Sequence, residues 1–193
     1  MKLRFATLED APVLLEIYGQ YIDTTVTFEY ELPSVEEFKR RIQEYTELYP
    51  YFLCEEEGRC VGYVYAHKAQ ERAAYQWNAE LSIYLAKDYR GHKIGVRLYQ
   101  MMEELLKLQG VKTLYGLVTT PNPRSERLHL QTGFLLSGRY HNTGYKKDTW
   151  CDVLLFEKAI GDYGDAPAPV KSIRDIPADT VKELIERFGF TAE

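Results

Sequence analysis

The stretch from residue 81 to residue 106 constrains the fold most, because a strand, a basic glycine loop and a helix follow one another there. The apolar run from Leu81 to Leu85 predicts a strand, and the loop from Arg90 to Gly95 carries glycines among cations. Apolar residues at i, i+4, i+7 and i+8 then predict a helix: Leu98, Met102, Leu105 and Leu106. A helix N-terminus offers unpaired N–H groups and a positive dipole end, and glycine lets an anion approach the backbone. The pattern therefore predicts a phosphate site.

This loop differs from both familiar nucleotide-binding motifs. A P-loop closes on Gly-Lys-Ser/Thr, whereas Gly95 is followed here by Val96 and Arg97. The dinucleotide fingerprint requires three glycines and a later acidic residue within a βαβ unit. The segment from Arg90 to Gly95 instead resembles the pyrophosphate loop Q/R-x-x-G-x-G/A of the GNAT acyltransferases, with Lys93 in place of a glycine. Taken alone, the hexapeptide also fits a basic helix start that binds nothing.

Three further segments carry the resemblance. Residues Asn122 to Phe134 are similar to the GNAT segment N-x-x-S-x-x-L-[Y/H]-x-x-x-G-F. Residues Arg72 to Tyr84 and Gly144 to Val153 resemble the substrate side and the late hairpin of the phosphinothricin N-acetyltransferase-like branch. The resemblance covers about residues 2 to 160. It implies acetyl-CoA (coenzyme A) as the acetyl donor, and no metal.

The predicted elements follow the order β-α-α-β-β-β-α-β-α-β-β. Ser34 and Asn122 are predicted N-caps, and Thr24 to Leu32 is predicted as a loop or irregular strand. Residues Phe134 to Tyr140 and Thr149 to Lys158 are predicted as the last antiparallel pair. This order indicates the class α/β (α+β), with a mixed, mostly antiparallel central sheet flanked by helices. It matches the GNAT acyl-CoA N-acyltransferase fold.

The C-terminal part of the chain differs in composition from the rest. Residues 1–160 are predicted to form the GNAT N-acetyltransferase domain, and residues 161–193 a linker and a C-terminal helical tail. The spacer from Gly161 to Pro169 is rich in Gly, Asp, Ala and Pro, which is typical of a linker. Apolar residues at helical spacing then predict a helix that ends at Gly189. That helix either docks on the domain or meets a partner, and we expect it to dock.

Composition and charge limit the classes of partner. The 193 residues are 45% hydrophobic and 27% charged, as in an ordinary soluble domain. A net charge of −5 gives no general case for nucleic acid. No apolar run approaches the ~20 residues that span a bilayer, and Met1 to Phe5 enters a strand without a signal-peptide pattern. We therefore expect no membrane partner. The three cysteines lack C-x-x-C spacing, so we expect reduced thiols, a cytoplasmic location and no metal site.

Two residues are candidates for the chemistry. Glu80 stands at the start of an apolar strand, where burying a charge costs several kcal/mol unless the charge is paired. On the residue pattern alone, a strand-end glutamate that faces water is the commoner case. The resemblance implies that Glu80 is the general base, directly or through a water molecule. It also implies that His129 is the general acid for the departing thiolate or shares base duty with Glu80, and both roles stay open.

The resemblance assigns two sets of binding residues. Those expected to hold acetyl-CoA are Ile83, Tyr84, Leu85, Arg90, Gly91, His92, Lys93, Ile94, Gly95, Val96, Asn122 and Ser125. Those expected to surround the acceptor are Phe28, Glu29, Arg72, Tyr75, Trp77, Ser82, Tyr145, Lys146 and Trp150. Aromatic walls with cations suit a carboxylate or phosphinate beside the amine. We therefore expect direct attack by the amine of a small amino-acid-like acceptor, of the phosphinothricin or methionine sulfoximine type.

Other functions fit parts of the same pattern. The enzyme could act on another amine, such as a polyamine, an aminoglycoside or a protein N-terminus. A polycationic acceptor would need an acidic pocket, and Arg72 and Lys146 argue against one. A non-catalytic acyl-CoA-binding module would keep the cleft, although the presence of Glu80 and His129 argues against it. A structural α/β domain whose loop binds nothing is the third alternative. The resemblance is also compatible with a homodimer.

Overall fold

The computed structural model describes residues 1–89 and 94–193, which form one eight-stranded sheet with helices on both faces. The strands are β1 (Lys2–Phe5), β2 (Tyr51–Glu56), β3 (Arg59–Lys68), β4 (Asn78–Leu85), β5 (Thr113–Thr120), β6 (Leu135–Lys146), β7 (Thr149–Ala159) and β8 (Thr191–Ala192). The helices are α1 (Ala11–Gly19), α2 (Val35–Thr46), α3 (Ile94–Gln109), α4 (Pro123–Gln131) and α5 (Ala178–Arg187). The predicted class, a mixed sheet flanked by helices, is confirmed. Within these two ranges, no helix combines the length and the apolar character needed to cross a membrane.

The sheet contains one incomplete pairing at its centre. The strand order is β6-β7-β5-β4-β3-β2-β1-β8, and all neighbours are antiparallel except β4 with β5 and β1 with β8. The parallel ladder between β4 and β5 runs from the pair Asn78–Thr113 to the pair Glu80–Tyr115 and ends there. The C-terminal halves of both strands therefore leave a cleft between them. That cleft is the feature around which the site is built.

Two apolar cores hold the sheet, one on each face. On one face, α3 buries the residues that the helical periodicity predicted, Leu98, Met102, Leu105 and Leu106, together with Met101. On the other face, α1 and α2 pack a second cluster that includes Leu14, Ile17, Phe38 and Ile42. Both predicted caps are present, since the Ser34 side chain accepts from Glu37 N and the Asn122 side chain accepts from Ser125 N.

The C-terminal segment completes the core and one edge of the sheet. α5 buries Val181, Leu184 and Ile185 in the same cluster as α3, so the tail helix docks on the domain. β8 then pairs in parallel with Lys2 and Leu3 of β1. Sequence periodicity did not predict β8, because a strand of two residues has no repeat to detect.

β6 is longer than the predicted segment Phe134 to Tyr140. It continues to Lys146, and its register with β7 shifts twice on the way, at Leu136/Gly138 and at Tyr140/Gly144. Most side chains of β6 are exposed, and the strand forms the edge of the sheet opposite β8. The prediction failed here because the residues between Tyr140 and Gly144 lack the alternation of a half-buried strand.

Candidate active site

A cavity of about 890 Å³ fills the cleft between β4 and β5. Its described walls come from the C-terminal halves of these strands, the first turns of α3, the length of α4, and Tyr21 and Val26 after α1. Eight residues predicted to bind the donor lie in these walls: Ile83, Tyr84, Leu85, Ile94, Gly95, Val96, Asn122 and Ser125. Four others predicted for the same purpose, Arg90, Gly91, His92 and Lys93, lie outside the described residues. The chain therefore brings together both ends of the predicted donor site.

The edge of β4 that faces the cavity offers backbone hydrogen-bonding groups. Leu81 O lies 3.5 Å from the Tyr99 hydroxyl, and Leu85 O accepts from the Tyr21 hydroxyl at 2.5 Å. Alternate residues of a strand direct their peptide groups to the same edge, so the N–H and C=O of Ile83 face the cleft as well. An extended ligand with amide groups can pair with this edge as an additional strand would.

The helix starts that line the cavity suit an anion. The N-termini of α3 and α4 both open onto it, and each contributes backbone N–H groups and a positive dipole end. A Cβ at Gly95 would lie 3.4 Å from the Leu128 side chain, which is ordinary contact, so α3 begins close to α4. Arg97, Arg124 and Arg127 add formal positive charge to the same walls. The residues present therefore fit a ligand with an amide arm and a phosphate-bearing end.

His129 is buried against the cavity with one defined tautomer. Its side chain is 2% exposed, and Nδ1 donates to Ser125 O at 2.8 Å, because a carbonyl can only accept. In the neutral ring, Nε2 therefore carries the lone pair, and it lies 3.5 Å from the Tyr99 hydroxyl. Burial lowers the pKa of His129, and the hydrogen bond to Ser125 only partly opposes this. His129 is thus a neutral proton acceptor at pH 7.

The position of His129 depends on a glycine that sequence reasoning missed. A Cβ at Gly116 of β5 would lie 2.1 Å from His129 Nε2, which is well inside contact distance. The imidazole can occupy this site only because β5 lacks a side chain there. The available signal was a lone glycine within the apolar strand pattern from Leu114 to Thr119. Tyr99 was missed too, because the α3 periodicity explains it as a core residue.

Glu80 lies at the base of the cleft, where the β4–β5 ladder ends. Its side chain is 17% exposed. Glu80 Oε1 lies 3.9 Å from Nε2 of His67, the residue opposite it on β3. Burial raises the pKa of the Glu80 carboxyl above its ordinary value, and the charge of His67, when protonated, opposes the rise. Glu80 is not among the described cavity walls, but Leu81 and Ser82, which follow it, are. It is a poorly hydrated carboxylate at the base of the cleft.

The predicted acceptor residues fall into three groups. Ser82 lines the cavity and lies opposite Tyr65 in the ladder between β3 and β4. Arg72 and Tyr75 are exposed at a turn before β4, and Trp77 Nε1 donates to Ala168 O in the linker, so none of the three is among the described cavity walls. The third group joins the loop after α1 to the end of the β6–β7 hairpin: Phe28, Glu29, Tyr145, Lys146 and Trp150.

Lys146 ties this third group together. Its side chain is 4% exposed, and Nζ donates to Thr27 O and Glu29 O, both at 2.7 Å. The Phe28 ring packs on Gly144, where a Cβ would lie 2.4 Å from Phe28 Cζ. Lys146 was predicted to face an acceptor carboxylate, but two of its three N–H donors are committed to loop carbonyls. It fastens the loop that borders the site.

We expect Lys146→Met to loosen this loop without unfolding the protein. The substitution keeps the buried chain length but removes two charge-assisted hydrogen bonds, each worth about 1.5–3 kcal/mol. Hydrogen exchange at residues 27–29 should accelerate by about tenfold or more. Lys147→Met, a change of the exposed neighbouring lysine, is the matched control and should leave exchange unchanged. Equal exchange in both variants would contradict the proposed fastening.

Comparison with known proteins gives the site its context. The chain matches the family model described as the acetyltransferase (GNAT) domain over residues 3–155. The chain belongs to the GNAT family of acetyltransferases. The GNAT fold, the acetyl-CoA-dependent N-acetyltransferase activity and acetyl-CoA as the donor, all predicted from the sequence, are confirmed.

Several relatives of this GNAT enzyme have named substrates. The chain is 29% identical to the phosphinothricin N-acetyltransferase of Streptomyces viridochromogenes, over 91% of this chain and 94% of that one. It is 27% identical to the L-methionine sulfoximine/L-methionine sulfone acetyltransferase of Pseudomonas aeruginosa, over 86% and 98%. The structure of a phosphinothricin acetyltransferase from Sinorhizobium meliloti in complex with AcCoA superposes with a TM-score of 0.81 and 31% identity, over 93% and 96%.

Proposed function

We propose that this GNAT enzyme transfers acetyl from acetyl-CoA to the primary amine of a small amino-acid-like acceptor, of the phosphinothricin or methionine sulfoximine type. The observation that carries the proposal is the end of the β4–β5 ladder at Glu80. There a carboxyl whose pKa is raised by burial stands beside a cleft that also contains a neutral histidine. The names of the relatives support the class of acceptor.

The donor would lie along the β4 edge, with its phosphates at the helix N-termini. Ile83 and its neighbours would pair with the amide arm, and the first turns of α3 and α4 would hold the anionic end. When bound, acetyl-CoA supplies the acetyl group as a reactive thioester. The protein's own contribution is to hold the amine and this thioester together, which is worth several kcal/mol of the barrier.

Glu80 would prepare the amine for attack. An ammonium group must lose a proton before its lone pair can reach a carbonyl carbon. A carboxylate accepts that proton more readily when its pKa is raised, as burial does for Glu80. His67 Nε2, at 3.9 Å from Glu80 Oε1, would stabilise the carboxylate by its charge when protonated. The transfer proceeds directly or through one water molecule.

His129 would handle the second proton of the amine. Because Nε2 carries the lone pair, the ring as found accepts a proton and does not donate one. After attack, the nitrogen must lose a second proton, while the departing sulfur needs one. His129 would take the proton from nitrogen and, as imidazolium, give it to the thiolate. The two roles left open by the sequence are then successive steps of one residue.

The test is release of free thiol from acetyl-CoA with a panel of acceptors. The panel contains phosphinothricin, methionine sulfoximine, free amino acids, spermidine, an aminoglycoside and a peptide with a free N-terminus. We expect turnover confined to the amino-acid-like acceptors. Faster turnover with spermidine, the aminoglycoside or the peptide would overturn the acceptor class. Silence on every acceptor, with calorimetric binding of CoA retained, would also overturn the acceptor class, because the true acceptor would then lie outside the panel.

We also propose that two copies pair through the β6 edge. Leu135, Leu136 and Tyr140 of β6 and Trp150 of β7 are more than half exposed, and β6 has an outer edge available for a partner. Sedimentation at micromolar concentration should give twice the chain mass, and Leu136→Lys should reduce the measured mass to that of one chain.

A cytoplasmic location is proposed from the three free cysteines, which suit a reducing compartment. Fractionation of cells tests it.

A further inference from the structure

Arg97 lies where the first turns of α3 meet the cavity, and no prediction assigned it a role. Its Nε atom is buried and has no hydrogen-bond partner among the described residues. A buried guanidinium N–H without a partner is costly, since such groups normally donate to a carboxylate, carbonyl or phosphate. The Arg97 guanidinium is therefore held beside the cavity with part of its hydrogen-bonding capacity unused.

The C-terminal tail packs against this guanidinium. Arg97 Cζ lies 4.4 Å from the centroid of the Phe190 ring, which is cation–π distance. A Cβ at Gly189 would lie 3.3 Å from Arg97 Nη1, and Gly189 has φ +76°. A side chain at residue 189 would therefore be strained and would crowd the guanidinium. The turn after α5 is shaped to let Arg97 lie against Phe190.

The tail is fixed firmly enough to position a side chain. Phe190 is buried in the core that α3 and α5 share, and Thr191 pairs with β1 directly after it. Phe190 N donates to Ile185 O, and Thr191 N donates to Met1 O at 3.0 Å. Phe190, on which Arg97 packs, is thus part of the core, and the next residue, Thr191, is part of the sheet. Both lie outside residues 3–155, which match the GNAT model.

We propose that the C-terminal tail belongs to the donor site: Phe190 is a positioning residue that holds Arg97 toward the diphosphate of coenzyme A. The assignment to the diphosphate follows from position, because Arg97 stands at the start of α3, whose N-terminus opens onto the cavity. Guanidinium N–H groups match phosphate oxygens in geometry and charge. The inference rests on the proposed function only in taking acetyl-CoA as the donor, and it does not depend on the acceptor.

The test measures binding of CoA, dephospho-CoA and pantetheine by calorimetry, in parallel with acetyl-CoA turnover. Arg97→Gln should weaken CoA binding by about tenfold, since one charge-assisted hydrogen bond is lost. Dephospho-CoA, which keeps the diphosphate, should lose the same factor, whereas pantetheine, which has no phosphate, should be unaffected. Phe190→Leu should weaken CoA binding by about threefold, and the double variant should bind no more weakly than Arg97→Gln alone.

Two controls separate positioning from folding. Phe190→Tyr keeps the ring and should keep the affinity of the parent, even where Phe190→Leu lowers the melting temperature. Arg187→Gln removes an arginine over another tail ring, 5.5 Å from the Phe188 centroid, and should leave binding unchanged. Additive losses, equal losses with pantetheine, or a loss that disappears with dephospho-CoA would overturn the inference. Because binding of CoA needs no acceptor, the comparison of CoA affinities could still be interpreted if the acceptor panel failed.

Discussion

Glu80→Gln should lower kcat by about 10²–10⁴-fold while the affinity for CoA stays within a factor of two of the parent. The amide keeps the size of the side chain but cannot accept a proton from the acceptor ammonium. Glu157→Gln, a change on β7 of the same sheet and outside the described cavity walls, is the matched control. Steady-state turnover and calorimetry measure the two quantities. An unchanged kcat would remove Glu80 from the mechanism.

The pH profile gives a second readout of the same residue. Glu80 must be ionised to act as a base, so kcat should fall as pH drops through its pKa, which burial raises above the ordinary value. The charge of His67, when protonated, lowers that pKa. His67→Gln should therefore move the acid limb of the profile to higher pH and leave the plateau near its parent value. A shift to lower pH would contradict the pairing of His67 with Glu80.

Gly116→Ala should damage both stability and turnover. The new methyl group would lie 2.1 Å from His129 Nε2, so the ring must leave its place on Phe156 and its hydrogen bond to Ser125. Overpacking of this kind costs about 1–3 kcal/mol of the free energy of unfolding. Displacement of the ring by about 1 Å should cost about 100-fold in kcat.

The matched control for this change is Gly138→Ala in β6. A Cβ there would meet Leu155 at 3.9 Å, which is ordinary contact. Urea unfolding and turnover of the two alanine variants, measured side by side, separate a crowded imidazole from a general effect of alanine in a strand. Parent-like kcat in Gly116→Ala would show that His129 tolerates displacement, and its proposed proton transfer would then be withdrawn.

The parts of this structure that depend on local pattern could be predicted from the sequence. The buried face of α3, the cap at Ser34 and the order of the main elements follow from periodicity and side-chain chemistry. The roles expected for Glu80 and His129 came from the family resemblance, because neither burial nor tautomer is visible in a sequence. Their surroundings now support those roles, which stay predictions until the variants are measured.

The rest depended on contacts between distant segments. Gly116 matters because α4 brings His129 against it, and Arg97 matters because the tail brings Phe190 beneath it. The acceptor-binding role of Lys146 stays a prediction, while residues 117 and 119 positions away supply the carbonyls that accept from its ammonium group. Such pairings have no periodicity, so residue type alone could not separate a binding cation from one that fastens a loop.

The two edges of the sheet have unequal consequences for self-association. β8 occupies part of the outer side of β1, whereas the outer side of β6 has no strand beside it within the described chain. Linear growth of a sheet across molecules needs two receptive edges on every copy. With one edge blunted by Thr191 and Ala192, the pairing that we propose through β6 would close on a twofold axis. Those two residues thus bias the chain toward a finite pair and away from a fibre.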